Sequence, residues 1–249
     1  MSKTIGNYGR FGNQFIRNIL LSIMAERYNL SASYFNHELI KNLGIDLFNG
    51  TNDYIKKVEL NKDNYLEIYN SSCLQTNLDP NKCFFQTEEL TNFLYNYLTT
   101  PKIKNKIINK NPFKNRYKNN NDLFIHLRLW GVSGLSPGAN YYINLIDSIK
   151  CDNIYLSTDV KNQKIFMEIL DNYKNNPKFK VIKYDRVKNI QFASTCKNII
   201  LSHGSFSAII GYFSFYSTIY YPEFEEGKVW CGDMFSIPGW TKCLIDRSV

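Results

Sequence analysis

The chain has 249 residues, 44% of them hydrophobic and 15% aromatic, with 30 Lys+Arg against 22 Asp+Glu for a formal charge of +8. This is the composition of a globular chain with material for a core, in one large domain or two small ones. The apolar stretch Ser205 to Tyr221 is shorter than the ~20 residues of a bilayer span and is interrupted by Ser205, Ser207, Ser214, Ser217 and Thr218, which excludes a transmembrane helix.

The first residues, Met1-Ser2-Lys3-Thr4-Ile5, read as a very short strand that turns polar at once. They lack the basic start and apolar run of a secretory signal, so a cytoplasmic location is expected. A loop with Gly6, Gly9 and Gly12 follows. Asn13 to Arg27 then places Phe15, Ile16, Ile19, Leu20, Ile23 and Met24 at i, i+3, i+4 spacing, the mark of a helix. Ala32-Ser33-Tyr34-Phe35 reads as a second strand, completing a βαβ start. No motif is legible between His37 and Tyr69, and Asn61 to Phe85 is irregular. Glu88 to Thr99 is helical again, with Leu90, Phe93, Leu94, Tyr97 and Leu98 on one stripe. Lys102, Lys104, Lys106, Lys110, Lys114, Arg116 and Lys118 follow without an acidic residue, and then Asn119-Asn120-Asn121. This change of composition predicts a boundary between domains 1–115 and 116–249.

The second half opens on Leu123 to Leu127, an apolar run short enough for a buried parallel strand. A loop with Gly131, Gly134, Pro137 and Gly138 comes next. The pattern then predicts helices over Tyr141 to Ile149, Asn162 to Tyr173 and Ser205 to Phe215. Strands are predicted over Asn153 to Ser157, Phe179 to Lys183, Asn198 to Ser202 and, last, Thr218 to Tyr221, before Pro222. Such alternation is an α/β fold, and ligands in it sit at the carboxyl ends of strands, here His126 to Arg128, Thr158-Asp159 and Ser202 to Ser207.

Each of these places carries a chemical and a bland reading. The glycine loop before the first helix suits an anion, through backbone N–H groups and the helix dipole, or is simply a tight turn; it matches neither a dinucleotide fingerprint nor a Walker loop. His126 and Arg128 point to one side of their strand, and a guanidinium there either grips a phosphate or forms a structural ion pair. Asp159 either caps the next helix or accepts a hydrogen bond from a nucleotide. Ser202-His203-Gly204-Ser205-Phe206-Ser207 exposes donors toward a phosphate or caps a helix. Cys73, Cys83, Cys151, Cys196, Cys231 and Cys243 lie scattered without a Cys-x-x-Cys pair, so neither a zinc site nor a disulfide framework is expected.

Taken in order, these pieces resemble one family. Gly9-Arg10-Phe11-Gly12-Asn13-Gln14 is similar to the G-R-x-G-N-Q of the α-1,2-fucosyltransferases, glycosyltransferase family 11 and relatives. Phe84-Phe85-Gln86-Thr87-Glu88-Glu89 resembles the family's F-Q-S-E segment, and His126-Leu127-Arg128 the start of its H-x-R-R-x-D motif. Tyr141-Tyr142, Leu156 to Asp159, Cys196-Lys197-Asn198 and Ser202 to Ser207 resemble later blocks. The resemblance implies a GT-B-like α/β architecture of two Rossmann-like domains facing a cleft, with the acceptor on the first and the donor on the second. It implies inverting, metal-independent transfer of L-fucose from GDP-fucose to a glycan hydroxyl, an α-1,2 linkage favoured, with no cofactor. By the same resemblance Arg128 binds the diphosphate, His126, Asp159, Ser205, Phe206 and Ser207 line the nucleotide pocket, and Asn13 faces the donor. Glu88 is the one named candidate for taking the acceptor proton.

After Arg128 the family pattern has a second Arg, any residue, and an Asp; this chain has Leu129, Trp130 and Gly131. That departure keeps two alternatives open: the same fold with another nucleotide sugar, or an inactive nucleotide- or glycan-binding module. The basic run from Lys102 reads as a solvated face rather than a specific nucleic-acid site, and it is compatible with loose contact with an anionic membrane surface.

Overall fold

In the computed structural model, which describes residues 1–6, 9–131, 136–223 and 232–245, the chain divides into two units, Met1–Lys110 and Asn111–Val249. Asn7, Tyr8 and Gly134 of the two expected loops lie outside the described residues.

The first unit starts with strand β1 (Ser2–Lys3), helix α1 (Phe11–Tyr28) and strand β2 (Ala32–Ser33), with β1 and β2 parallel. Helix α1 is buried almost continuously from Phe11 to Ala25, so burial extends around the whole helix and takes in polar residues beside its apolar stripe; Arg17 is 0% exposed. Asn29 ends it in the left-handed conformation, φ 53°. Helix α2 (His37–Asn42), strand β3 (Lys57–Glu59), helix α3 (Tyr65–Asn70) and strand β4 (Asn77–Asp79) fill the stretch where the sequence shows no pattern. Strands β3 and β4 form a second parallel pair. Side chains join β1 to the β4 segment: Leu78 N–H donates to Ser2 Oγ (2.9 Å), Ile5 N–H to Asn81 Oδ1 (2.9 Å), and Asn81 Nδ2 to the Lys3 carbonyl (2.8 Å). Helix α4 (Glu88–Thr99) is capped by Thr87, whose hydroxyl accepts from Leu90 N–H.

The basic run begins as helix α5 (Pro101–Lys110), which buries Ile103 and Ile107 and leaves Lys102, Lys106 and Lys110 exposed. What the composition presents as a linker is therefore an amphipathic helix of the first unit. The division falls after Lys110, ahead of the expected 115/116, because the next residues are bonded into the second unit. Asn111 Nδ2 donates to the Gln191 carbonyl (2.8 Å), and Arg116, in a 3-10 turn, pairs with Asp122 (2.8 Å) and donates to Thr195 Oγ1 (3.1 Å).

The second unit contains β5 (Leu123–Leu127), α6 (Ala139–Ser148), β6 (Ile154–Thr158), α7 (Lys164–Tyr173), β7 (Phe179–Ile182), α8 (Arg186–Ala193), β8 (Asn198–Ile200), α9 (Ser205–Phe213), β9 (Thr218–Pro222) and β10 (Thr241–Cys243). Its six strands form one sheet in the order β10-β9-β8-β5-β6-β7, every pair parallel. Numbered within the unit, that is the Rossmann order 3-2-1-4-5-6, whose direction reverses between β5 and β8. Every residue of β5 is buried, as expected of a central strand covered on both faces. Leu123, Ile125, Leu127, Leu156 and Ile200 pack with Tyr142, Phe166 and Ile169 into the core under α6 and α7. Each such side chain contributes roughly 1.5–3 kcal/mol on burial. Helix α8 and strand β10 are additions to the sequence reading, and β9 runs on to Pro222 at its last position. Among the described residues no helix is long and apolar enough to cross a membrane.

Candidate functional site

The carboxyl ends of β5, β6 and β8 converge at the point where the strand order reverses. His126 lies opposite Ser157 in the β5–β6 ladder and is 4% exposed. Its Nδ1 is 2.5 Å from Ser207 Oγ, and that same oxygen accepts from Ser202 N–H at 3.1 Å. One serine hydroxyl thus ties the β8–α9 turn to the central strand. Burial pushes the His126 imidazole down to about 4, the Asp159 charge opposing and the Arg128 charge adding, so the ring is neutral at pH 7. The Phe206 ring packs 5.3 Å from it, tilted by 53°. Ser207 is fully buried and reaches the site through His126, whereas Ser205 and Phe206 are partly exposed.

Just past β5, Arg128 turns to Asp159 at the end of β6, with Nη1 to Oδ2 at 2.6 Å. The same carboxylate accepts from Leu129 N–H (2.9 Å) and Trp130 N–H (3.1 Å). Asp159 therefore clamps the segment that leaves β5 and aims the guanidinium; it does not cap α7, which starts at Lys164 with Gln163 at its cap position. Leu129 is 0% exposed and belongs to the core under α6, so the second arginine of the family pattern is replaced by a packing residue. Asn189, on the polar inner face of α8, donates to Ser157 Oγ at 2.8 Å and braces the end of β6. The sequence reading missed Asn189, because α8 has no apolar stripe to announce it.

Gly204, at φ 96°, turns the chain from β8 into α9, a conformation that costs a side-chain-bearing residue far more than glycine. The first turn of α9 then offers its backbone N–H groups and the positive end of the helix dipole next to His126 and Phe206. The neutral imidazole, the guanidinium held by Asp159 and the helix N-terminus thus lie together at the carboxyl ends of the strands.

Asn13 and Glu88 belong to the first unit. Asn13 lies in the first turn of α1, where its Oδ1 accepts from Gln86 Nε2 at 2.8 Å. Gly9, at φ 77°, lies over it so closely that a Cβ there would come within 2.6 Å of Asn13 Nδ2. Gln14 Nε2 holds the glycine loop through the Gly9 carbonyl (2.9 Å). Glu88 is exposed at the first turn of α4. Among the described residues Cys73, Cys83, Cys151, Cys196 and Cys243 are free thiols, and no group of three His, Cys, Asp or Glu side chains gathers for a metal.

No protein-family model and no curated protein matches the sequence. Among solved structures, the chain is similar to POFUT1 in complex with GDP, at 10% identity and a TM-score of 0.50 over 98% of this chain and 97% of that one. A fucosyltransferase, NodZ from Bradyrhizobium, aligns at 13% identity and a TM-score of 0.38 over 64% of this chain and 58% of its own length. The match to POFUT1 runs over nearly the whole of both chains, and with it the chain has the α/β, GT-B-like fold expected from the sequence.

Proposed function

We propose that this protein is an inverting glycosyltransferase that moves L-fucose from GDP-fucose to a glycan hydroxyl, with an α-1,2 linkage favoured and no metal required. One observation carries the reading: Arg128, His126, Phe206 and the start of α9 meet at the switch point of a Rossmann-ordered sheet, in a chain whose fold is shared with a GDP-bound protein. In this reading 1–110 takes the acceptor side and the rest of the chain the donor side, with Asn13 acting on the donor.

The chemistry follows from charge. As the sugar–phosphate bond breaks, negative charge grows on the departing diphosphate. A fixed guanidinium and fixed N–H donors stabilise that state more than the ground state, without reorganising. Asp159 holds Arg128 in place, and Ser207 holds the His126 ring, which as a neutral group gives or takes a hydrogen bond without adding charge. Glu88 is the proposed acceptor of the hydroxyl proton.

A second reading keeps the fold and changes the donor, or retains binding without turnover; the burial of Leu129 in the core, where the family pattern has an arginine, favours it. Calorimetric titration of the protein in EDTA against GDP, UDP, CMP and GDP-fucose separates the two. Selective GDP binding with GDP-fucose turnover supports the transferase, whereas preference for UDP, or binding without turnover, supports the second reading.

A further inference from the structure

The loop that enters α4 is fastened to α1 at two points one helical turn apart. Arg17, fully buried, donates to the Cys83 carbonyl through Nε and Nη2, both at 3.4 Å, and Gln86 donates to Asn13. Between these bonds Phe85 takes the left-handed conformation, φ 55°, which a bulky residue adopts only when its surroundings impose it. Here its ring is 1% exposed and lies edge-on to Tyr65 at 6.1 Å, while Thr87 on the other side is fixed as the cap of α4. Gln86 is therefore aimed by strain on one side and a cap on the other.

The polarity of its bond is also determined. Gln86 is 4% exposed, and its Oε1 is buried without a hydrogen-bond partner. The reverse orientation would leave a buried N–H unpaired instead, which costs more than an unpaired carbonyl oxygen. We infer that Gln86 is a positioning residue for Asn13: it holds the carboxamide oxygen inward and leaves Nδ2 on the glycine-loop side, the orientation used in the transfer proposed above, on which this inference rests.

The test compares Gln86→Glu, Gln86→Leu, Asn13→Ala and the double variant Asn13→Ala/Gln86→Leu in GDP-fucose turnover between pH 5 and 8, with the Asn13 side-chain amide followed by 15N NMR. Gln86→Glu preserves size but accepts only, so at pH 8 it forces the Asn13 amide to turn over. The ionisable groups on neighbouring elements include Arg17 on α1, Cys83 in the same loop, Asp79 at the end of β4, and Glu88 and Glu89 on α4. Arg17 favours the carboxylate and burial opposes it. The expected result is a kcat about tenfold or more lower at pH 8 with KM unchanged. As pH falls and the carboxyl regains a proton to donate, kcat recovers. Gln86→Leu stays low at every pH, and the double variant is no slower than Asn13→Ala. Full activity of Gln86→Glu at pH 8, alongside a slow Asn13→Ala, overturns the positioning role and leaves the transferase standing. If Asn13→Ala is fully active, Asn13 is not used and the positioning role falls while the transferase stands; if the wild-type protein does not turn over GDP-fucose, the transferase reading fails instead. The NMR arm still decides the bond: a changed chemical shift of the Asn13 side-chain amide in Gln86→Leu, where its oxygen no longer accepts, supports it, and unchanged resonances overturn it.

Discussion

Acidifying the protein from pH 7 to pH 4 tests the burial of His126 directly. In the native state burial keeps this imidazole unprotonated until about pH 4, while an unfolded chain protonates its histidines near 6.5. Between those values the unfolded state binds the extra proton, so stability falls as pH falls; above 6.5 neither state is protonated and the effect vanishes. At about 1.4 kcal/mol per pH unit, the gap amounts to about 3 kcal/mol by pH 4. That is a large share of the ~5–15 kcal/mol that hold a typical protein folded. Carboxylates titrate in the same range, so the assay is the difference between urea unfolding of wild type and of His126→Asn, stepped through pH 7, 6, 5 and 4. The wild-type curve should drop more steeply than that of the variant by the amount given. With three histidines in the chain, one of them the exposed His37, the ring resonance is readily assigned for a parallel NMR titration. Parallel unfolding curves, or a His126 resonance titrating near 6.5, would refute the desolvated imidazole and with it the Ser207 link as drawn.

Four further outcomes are expected. Arg128→Ala should weaken GDP binding by about 30-fold or more in calorimetry, since it removes the cation and leaves the Asp159 carboxylate facing the site. Gly9→Ala should cost about 1–3 kcal/mol in thermal unfolding, because φ 77° disfavours a side chain and the new Cβ meets Asn13. Gly211→Ala would place a Cβ 2.2 Å from the Trp240 ring; a loss of about 1–3 kcal/mol and a change in tryptophan emission should report displacement of that ring from α9. Turnover of GDP-fucose should be the same in EDTA as in buffer containing magnesium, measured by release of GDP.

Much of the second unit is legible in its sequence because a central parallel strand, covered on both faces, has to be apolar throughout. Leu123 to Leu127 is such a strand, and its bounds in the structure are those the pattern predicts. Helix α4 is legible for a related reason, with an apolar stripe on one face and Thr87 ready to cap it. Helix α8 is hidden because it buries Asn189 and Gln191 along with Ile190 and Phe192, so no polar-to-apolar period runs along it. Strand β10 is a short edge strand of Thr241, Lys242 and Cys243, polar enough to read as loop. In the candidate site, His126 and Arg128 are legible as neighbours at the carboxyl end of β5, but Arg128 lies just past the strand and turns to Asp159. The role of Asp159 is not legible, since its choice between helix cap and clamp depends on the residues between it and Lys164, which carry it too far from α7 to cap. Gln86 is visible only as part of the segment similar to F-Q-S-E; its bond to Asn13 is not legible, because that partner is 73 positions away.

The strand order also determines when the site comes into existence during folding. Strand β5 pairs with β6 across one helix, but its other neighbour, β8, reaches it only after two further helices and one further strand have been threaded, with Leu123 against Asn198. Contacts of such separation in sequence form late and slowly. Since Ser207 meets His126 only once that pairing is made, an intermediate built from β5, β6 and β7 has a hydrophobic core but not the proposed nucleotide site. A ligand bound at the switch point therefore recognises only completed molecules, and at saturating concentration it would slow unfolding while leaving the first steps of collapse untouched.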